Sequence, residues 1–116
     1  MSEYQRFAVR EVEKVVVARF MDRKISDVVN VDSVSDELTL LSESLDGRSL
    51  VLDFEPVQFL SSAVLNRLII LDGVVKRQGG RLRLCGMQRS IADIFKITKL
   101  TQVFSIHDDV ETAIAQ

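Results

Sequence analysis

The chain has 116 residues, 47% hydrophobic and 28% charged, with 15 basic against 17 acidic side chains for a net charge of −2. That length buries one ordinary core without disulfide staples, and the near-balanced charge gives no strong field toward nucleic acid or an anionic membrane. The single cysteine, Cys85, excludes an internal disulfide framework and fits a reducing compartment.

The opening stretch MSEYQRFAVREVEK is charged and lacks the apolar segment of a secretory signal. No uninterrupted apolar run exceeds four residues, far short of a membrane span. The expectation is one cytoplasmic domain over residues 1–116.

Valine-rich Phe7 to Phe20, interrupted at Glu13 and Lys14, predicts a hairpin of two strands, Phe7–Val12 and Lys14–Phe20. Met21 to Asp27 is polar and reads as a connection. From Val28 the period changes. Val31, Val34, Leu38 and Leu41 recur at steps of three and four, one apolar stripe on a helix from Val28 to Ser44. Asp27 is its N-cap, and Gly47 closes the segment. Ser49 to Phe54, SLVLDF, is an apolar run holding one acid, Asp53, and suits a strand buried on both faces. Glu55-Pro56 breaks it.

Val64, Leu65, Leu68, Ile69, Leu71, Val74 and Val75 keep helical spacing from Ser62 to Gln78, with Lys76 and Arg77 in the last turn and Gly79-Gly80 as the stop. Arg81 to Cys85, RLRLC, alternates as a strand. Met87 to Leu100 carries Ile91, Ile94, Phe95 and Leu100 at helical spacing, and Val103 to Ile106 is a short strand. Asp108 or Asp109 caps a last helix through Val110, Ala113 and Ile114. The order β-β-α-β-α-β-α-β-α predicts an α/β fold: a small mixed sheet, an N-terminal antiparallel hairpin followed by parallel strands on right-handed crossovers, with about four helices.

The chain has no GxGxxG, no Walker loop and no GxSxG elbow, and one histidine with one cysteine cannot close a zinc site. No metal and no cofactor are expected. His107 reads as a strand-end residue and Cys85 as a small core residue. Arg81, Arg83, Arg89, Lys96 and Lys99 lack interleaved aromatics and read as a solvated face. No catalytic residue emerges, and the protein is expected not to be an enzyme.

Ser61 and Ser62 open the second long helix. Either hydroxyl could cap it, worth about 1 kcal/mol. The same place suits a regulatory charge. A phosphoserine adds about −1.5 to −2 charges, and a helix N-terminus tolerates them. A partner docking there would have to desolvate a dianion, at several kcal/mol. Residue types alone leave both readings open.

Leu50 to Met87, LVLDFEPVQFLSSAVLNRLIILDGVVKRQGGRLRLCGM, resembles the central segment of STAS domains, and more narrowly of bacterial anti-sigma factor antagonists. Their pattern is an apolar strand ending in Asp, a loop, then an aromatic-apolar-Asp-Ser-Ser-Gly-Leu-Gly run opening a helix, with Gly-Gly and another strand behind it. Asp53 matches the strand-end acid, Phe59 the aromatic, Ser61 the phosphorylated position and Ser62 the second serine. The hairpin, the helix before Leu50 and the ending KITKLTQVFSIHDDVETAIA match as well. Leu60 stands where an acid is usual, and Ala63 and Asn66 stand where glycines are usual, which stiffens the helix start.

The resemblance implies the STAS fold and a role in partner switching. The unmodified protein would bind an anti-sigma factor serine kinase and so free a sigma factor for transcription. The kinase would phosphorylate Ser61, with Ser62 the alternative, and a phosphatase would reset the switch. Asp53, Phe59, Leu60, Ser61, Ser62, Asn66 and Arg67 are the implied partner-binding residues. The Ser61 hydroxyl is then expected to be open, with Ser62 as the cap and Asp53 either ordering the loop or solvated. No nucleic acid and no membrane enter, and a weak homo-oligomer is compatible. The alternative is a STAS scaffold, or a transporter-associated STAS subunit, that is never phosphorylated and acts only by protein–protein binding.

Overall fold

The computed structural model describes residues 4–115. In chain order the elements are β1 (Phe7–Val12), β2 (Val15–Phe20), β3 (Lys24–Ile25), α1 (Val28–Glu43), β4 (Ser49–Asp53), β5 (Phe59–Leu60), α2 (Ser62–Arg77), β6 (Leu82–Cys85), α3 (Arg89–Ile97), a 3-10 turn (Leu100–Gln102), β7 (Ser105–His107) and α4 (Val110–Ala115). The main sheet has five strands in the order β1-β2-β4-β6-β7. The β1–β2 hairpin is antiparallel, and every later pairing is parallel. The expected mixed sheet with helices on it is therefore what the chain forms.

The pleat sorts side chains onto two faces. On one, Phe7, Val16, Ala18, Phe20, Leu50, Leu52, Leu82 and Leu84 join the apolar stripes of α1, α2 and α3 in the main core. Four ring pairs run through that core: Phe7–Phe20, Phe20–Phe54, Phe54–Phe95 and Phe95–Phe104, with centroids 4.7, 4.6, 6.2 and 5.9 Å apart. On the other face Val17, Val51 and Cys85 pack against Ala113 of α4. The β4 strand is thus buried from both sides, as its apolar run predicts.

Several boundaries and one whole element depart from the sequence expectations. Glu13 takes a left-handed turn, φ 56°, so β2 begins at Val15 rather than Lys14. The stretch Met21 to Asp27 is more than a connection, because Lys24 and Ile25 pair in parallel with Phe59 and Leu60. The third long helix is shorter than Met87 to Leu100. It runs Arg89–Ile97, and Lys99 at φ 62° separates it from the 3-10 turn. The last strand lies at Ser105–His107, displaced from Val103 to Ile106.

The β6 strand does not alternate between core and solvent, since all four of its residues are buried. Arg83, expected on a solvated face, is 8% exposed and donates from its guanidinium to the Ala113 carbonyl at 3.1 Å. The cause is α4, which covers the face where Arg83 sits. The caps of α1 and α4 fall where expected. The Asp27 carboxylate accepts the Asn30 amide at 2.9 Å, and Asp109, of the two candidates, accepts the Thr112 amide at 2.8 Å. No helix among the described residues is long and apolar enough to cross a membrane.

Candidate functional site

The small β3–β5 pair decides where the two serines stand. Arg23 O accepts the amides of Gln58 and Phe59, and Ile25 O accepts the Ser61 amide at 3.0 Å. Both strands then run directly into helices, so α1 and α2 start side by side with their positive poles at the same edge of the molecule.

The two poles are treated differently. The α1 pole is met by the Asp27 carboxylate. The α2 pole has Ser61 at N-cap with φ −78° and ψ 157°, but the side chain makes no capping bond, and no acid lies in the first turn. The Ser61 hydroxyl oxygen is sealed from solvent and has no hydrogen-bond partner among the described residues, although the residue as a whole is half-buried. This corrects two expectations. Ser62 is the first helical residue and exposed, so it is not the cap, and the Ser61 hydroxyl is not open in this rotamer. The bond to Ile25 draws the Ser61 main chain against β3, which leaves the oxygen facing inward.

A groove of about 330 Å³ separates the two helix starts, with Val28 and Asp32 on one wall and Ser61, Ser62 and Arg67 on the other. Val28, on the groove wall, is 76% exposed, and Val29 on α1 and Phe59 on β5 are 72% and 56% exposed. Asn66 and Arg67 are exposed on α2. Leu60 does not belong to this surface. It is 5% exposed and joins the core cluster with Ile25, because the second residue of β5 points the opposite way from Phe59. Val28 and Val29 escaped the sequence reading. The buried stripe of α1 begins only at Val31, so Val28, one step of three ahead of it, and Val29, off the stripe, are left bare.

Asp53 is not on the Ser61 groove. It closes β4 on the sheet face that carries Arg19, and it is 6% exposed. One carboxylate oxygen accepts the Glu55 amide at 3.1 Å, and the other lies 3.2 Å from the Arg19 guanidinium. Glu55, by its hydrogen bond, and Asp53 behind it hold Arg19 above its ordinary value. Of the two readings of Asp53, the loop-ordering one describes this geometry. Gly86, at φ +73°, completes it, because a Cβ there would come within 2.5 Å of an Asp53 oxygen. Cys85 is fully buried, and burial pushes its thiol up to about 12. His107 ends β7 with Nε2 2.7 Å from the Ser105 hydroxyl.

The family model for the STAS domain matches residues 7–113. Among solved structures the chain is similar to an anti-sigma-factor antagonist (STAS) domain protein from Planctomyces limnophilus, with 17% identity, 94% of this chain and 95% of that one covered, and a TM-score of 0.82. It is similar to the Bacillus cell fate determinant SpoIIAA in its phosphorylated form, with 16% identity, 94% and 96% covered, and a TM-score of 0.67. It is also similar to the murine anion transporter Slc26a9, with 14% identity and a TM-score of 0.74, where it covers 91% of this chain but 18% of that one. Identities this low establish a shared fold and leave the role open. The hairpin-first mixed sheet, the paired serines at the mouth of α2 and the family match over residues 7–113 together establish that the chain belongs to the STAS domain family.

Proposed function

We propose that this protein is an anti-sigma factor antagonist of the cytoplasm, a ligand and substrate rather than a catalyst. It binds an anti-sigma factor serine kinase across the α1–α2 groove, and phosphorylation at the mouth of α2 ends the complex. The observation that carries this reading is the pair of helix starts. One is neutralised by Asp27, the other has no side-chain cap and no acid in its first turn, and Val28 and Val29 on α1 and Phe59 on β5 stand exposed. Open apolar side chains gathered at one place favour a protein partner. An unneutralised helix pole favours a phosphate. The likeness to anti-sigma factor antagonists, among them SpoIIAA, which is known in a phosphorylated and an unphosphorylated form, supports the same reading.

Modification of Ser61 begins with rotation about its Cα–Cβ bond, a change between staggered wells that brings the sealed oxygen into the groove. The resulting dianion would oppose an apolar partner surface, and each lost decade of affinity needs about 1.4 kcal/mol. A second reading places the phosphate on Ser62, and the exposure of that residue favours it. A third, a STAS scaffold that is never phosphorylated, draws on the sealed Ser61 oxygen and on the likeness to a transporter.

The test is affinity capture from the source cell with wild type, Ser61→Ala and Ser61→Asp, with phosphopeptide mapping of the same samples. Wild type and Ser61→Ala are expected to recover an ATP-dependent serine kinase and Ser61→Asp to lose it. Equal capture by all three, with no phosphate on Ser61 or Ser62, overturns the switch. Phosphate on Ser62 alone moves the site by one residue.

A further inference from the structure

At the far end of α2 from Ser61, a cavity of about 370 Å³ opens where β6 runs past the start of β7. The register explains it: Ser105, the first residue of β7, pairs with Arg83, so the edge of β6 ahead of Arg83 has no strand beside it. Three cations, Lys76, Arg81 and Arg83, line this cavity with one carboxylate, Asp72. Asp72 is already held by Lys76 at 2.9 Å.

The two arginines have no such partner. Among the described residues, neither has a carboxylate within ion-pair distance. Arg81 is exposed. Arg83 is 8% exposed and spends one N–H on the Ala113 carbonyl. Burial first, and the neighbouring Arg81 second, push its guanidinium below its ordinary value. A guanidinium carries five N–H donors and stays charged at any physiological pH. Burying it beside a second cation, with no acid opposite among the described residues, is costly unless a counter-charge arrives. Two like-charged forks, Arg81 just ahead of β6 and Arg83 within it, match the oxygens of a dianion.

We infer that this cavity binds a small phosphate-bearing anion, gripped by the guanidinium groups of Arg81 and Arg83. Phosphate is favoured over a carboxylate because two uncompensated cations are neutralised by one dianion. The space is at the lower end of small-molecule sites and exceeds what the anion itself fills. The phosphate can therefore be inorganic or the ester group of a small organic molecule. This site shares no lining residue with the Ser61 groove, so its fate does not depend on partner switching.

The experiment is an amide chemical-shift titration of the full chain with inorganic phosphate and, separately, with AMP, against sodium chloride at matched ionic strength. Saturating shifts confined to Arg81, Arg83 and Ser105 are expected with phosphate or AMP and not with chloride. Stronger binding of AMP identifies an ester, and equal or stronger binding of phosphate identifies the free ion. Arg81→Ala changes an exposed side chain and leaves the fold in place, so it should weaken binding by about tenfold or more. Arg83→Met keeps the apolar stem and should abolish it. Shifts that fail to saturate, that chloride reproduces, or that survive intact in Arg81→Ala overturn the inference.

Discussion

Ser61 occupies the N-cap of α2 without doing what a cap does, and that separates its structural role from its regulatory one. A capping serine loses about 1 kcal/mol when changed to alanine. A sealed, unpartnered hydroxyl instead carries a desolvation cost of about 1–3 kcal/mol that alanine removes. Urea unfolding of Ser61→Ala should therefore give a stability equal to wild type or higher by about 1 kcal/mol. A loss of that size would mean that the hydroxyl turns and caps the helix in solution. Gly86 is the opposite case, a residue with no side chain that the Asp53 corner requires. Alanine there must hold φ near +73° and bring its Cβ within 2.5 Å of a carboxylate oxygen. Left-handed strain alone costs about 1–3 kcal/mol. Gly86→Ala is expected to lose at least that much in the same assay, and to lengthen the Arg19–Asp53 contact in a crystal structure.

Elements with a period were legible in the sequence, and elements without one were not. Val31, Val34, Leu38 and Leu41 announced α1, and both it and α2 begin at the residue their spacing indicates. The β3–β5 pair was invisible because two residues have no period, and its stability comes from a partner more than thirty residues away. That pair carries the candidate site, since it sets the α1 and α2 starts together. The site was thus half legible: Phe59, Ser61 and Ser62 by motif, Arg67 as a neighbour of that motif, Val28 and Asp32 only by pairing. RLRLC was misread for a related reason. Alternation implies one wet face, and here α4, six residues long, covers it. The hold of α4 rests on Ala113, which is fully buried against Val17, Val51 and Cys85. Ala113→Leu has no room to grow into, and overpacking typically costs about 1–3 kcal/mol. The expected sign is selective: amides of α4 lose hydrogen-exchange protection while those of α2 keep theirs. Equal loss in both helices would mean that α4 cannot detach without global unfolding.

At the scale of the whole molecule the sheet is a partition between two cores, and Cys85 lies on the thinner side, under α4. Its thiol is pushed from 9.0 up to about 12, by burial first and then by the charges of Asp53 and Asp109. The consequence for folding follows from which state holds the proton. Below pH 9.0 the thiol is protonated folded and unfolded alike, and it adds no pH dependence. Between 9.0 and about 12 the unfolded chain releases the proton and the folded chain keeps it. The unfolded state then binds fewer protons, so stability falls as pH rises, by up to about 1.4 kcal/mol per pH unit. Other groups titrate in the same range, so the informative quantity is the difference between wild type and Cys85→Ala. That difference, taken from urea midpoints, should be flat from neutral pH to about 9 and should then close or reverse in favour of the variant as wild type weakens. Parallel curves through the alkaline range would mean that the thiolate forms without unfolding, and so that α4 opens on its own. A thiol reagent at neutral pH reads the same opening directly. Native Cys85 should react only as fast as the α4 layer lifts, and Ala113→Leu should speed that reaction without changing the rate for the urea-unfolded chain.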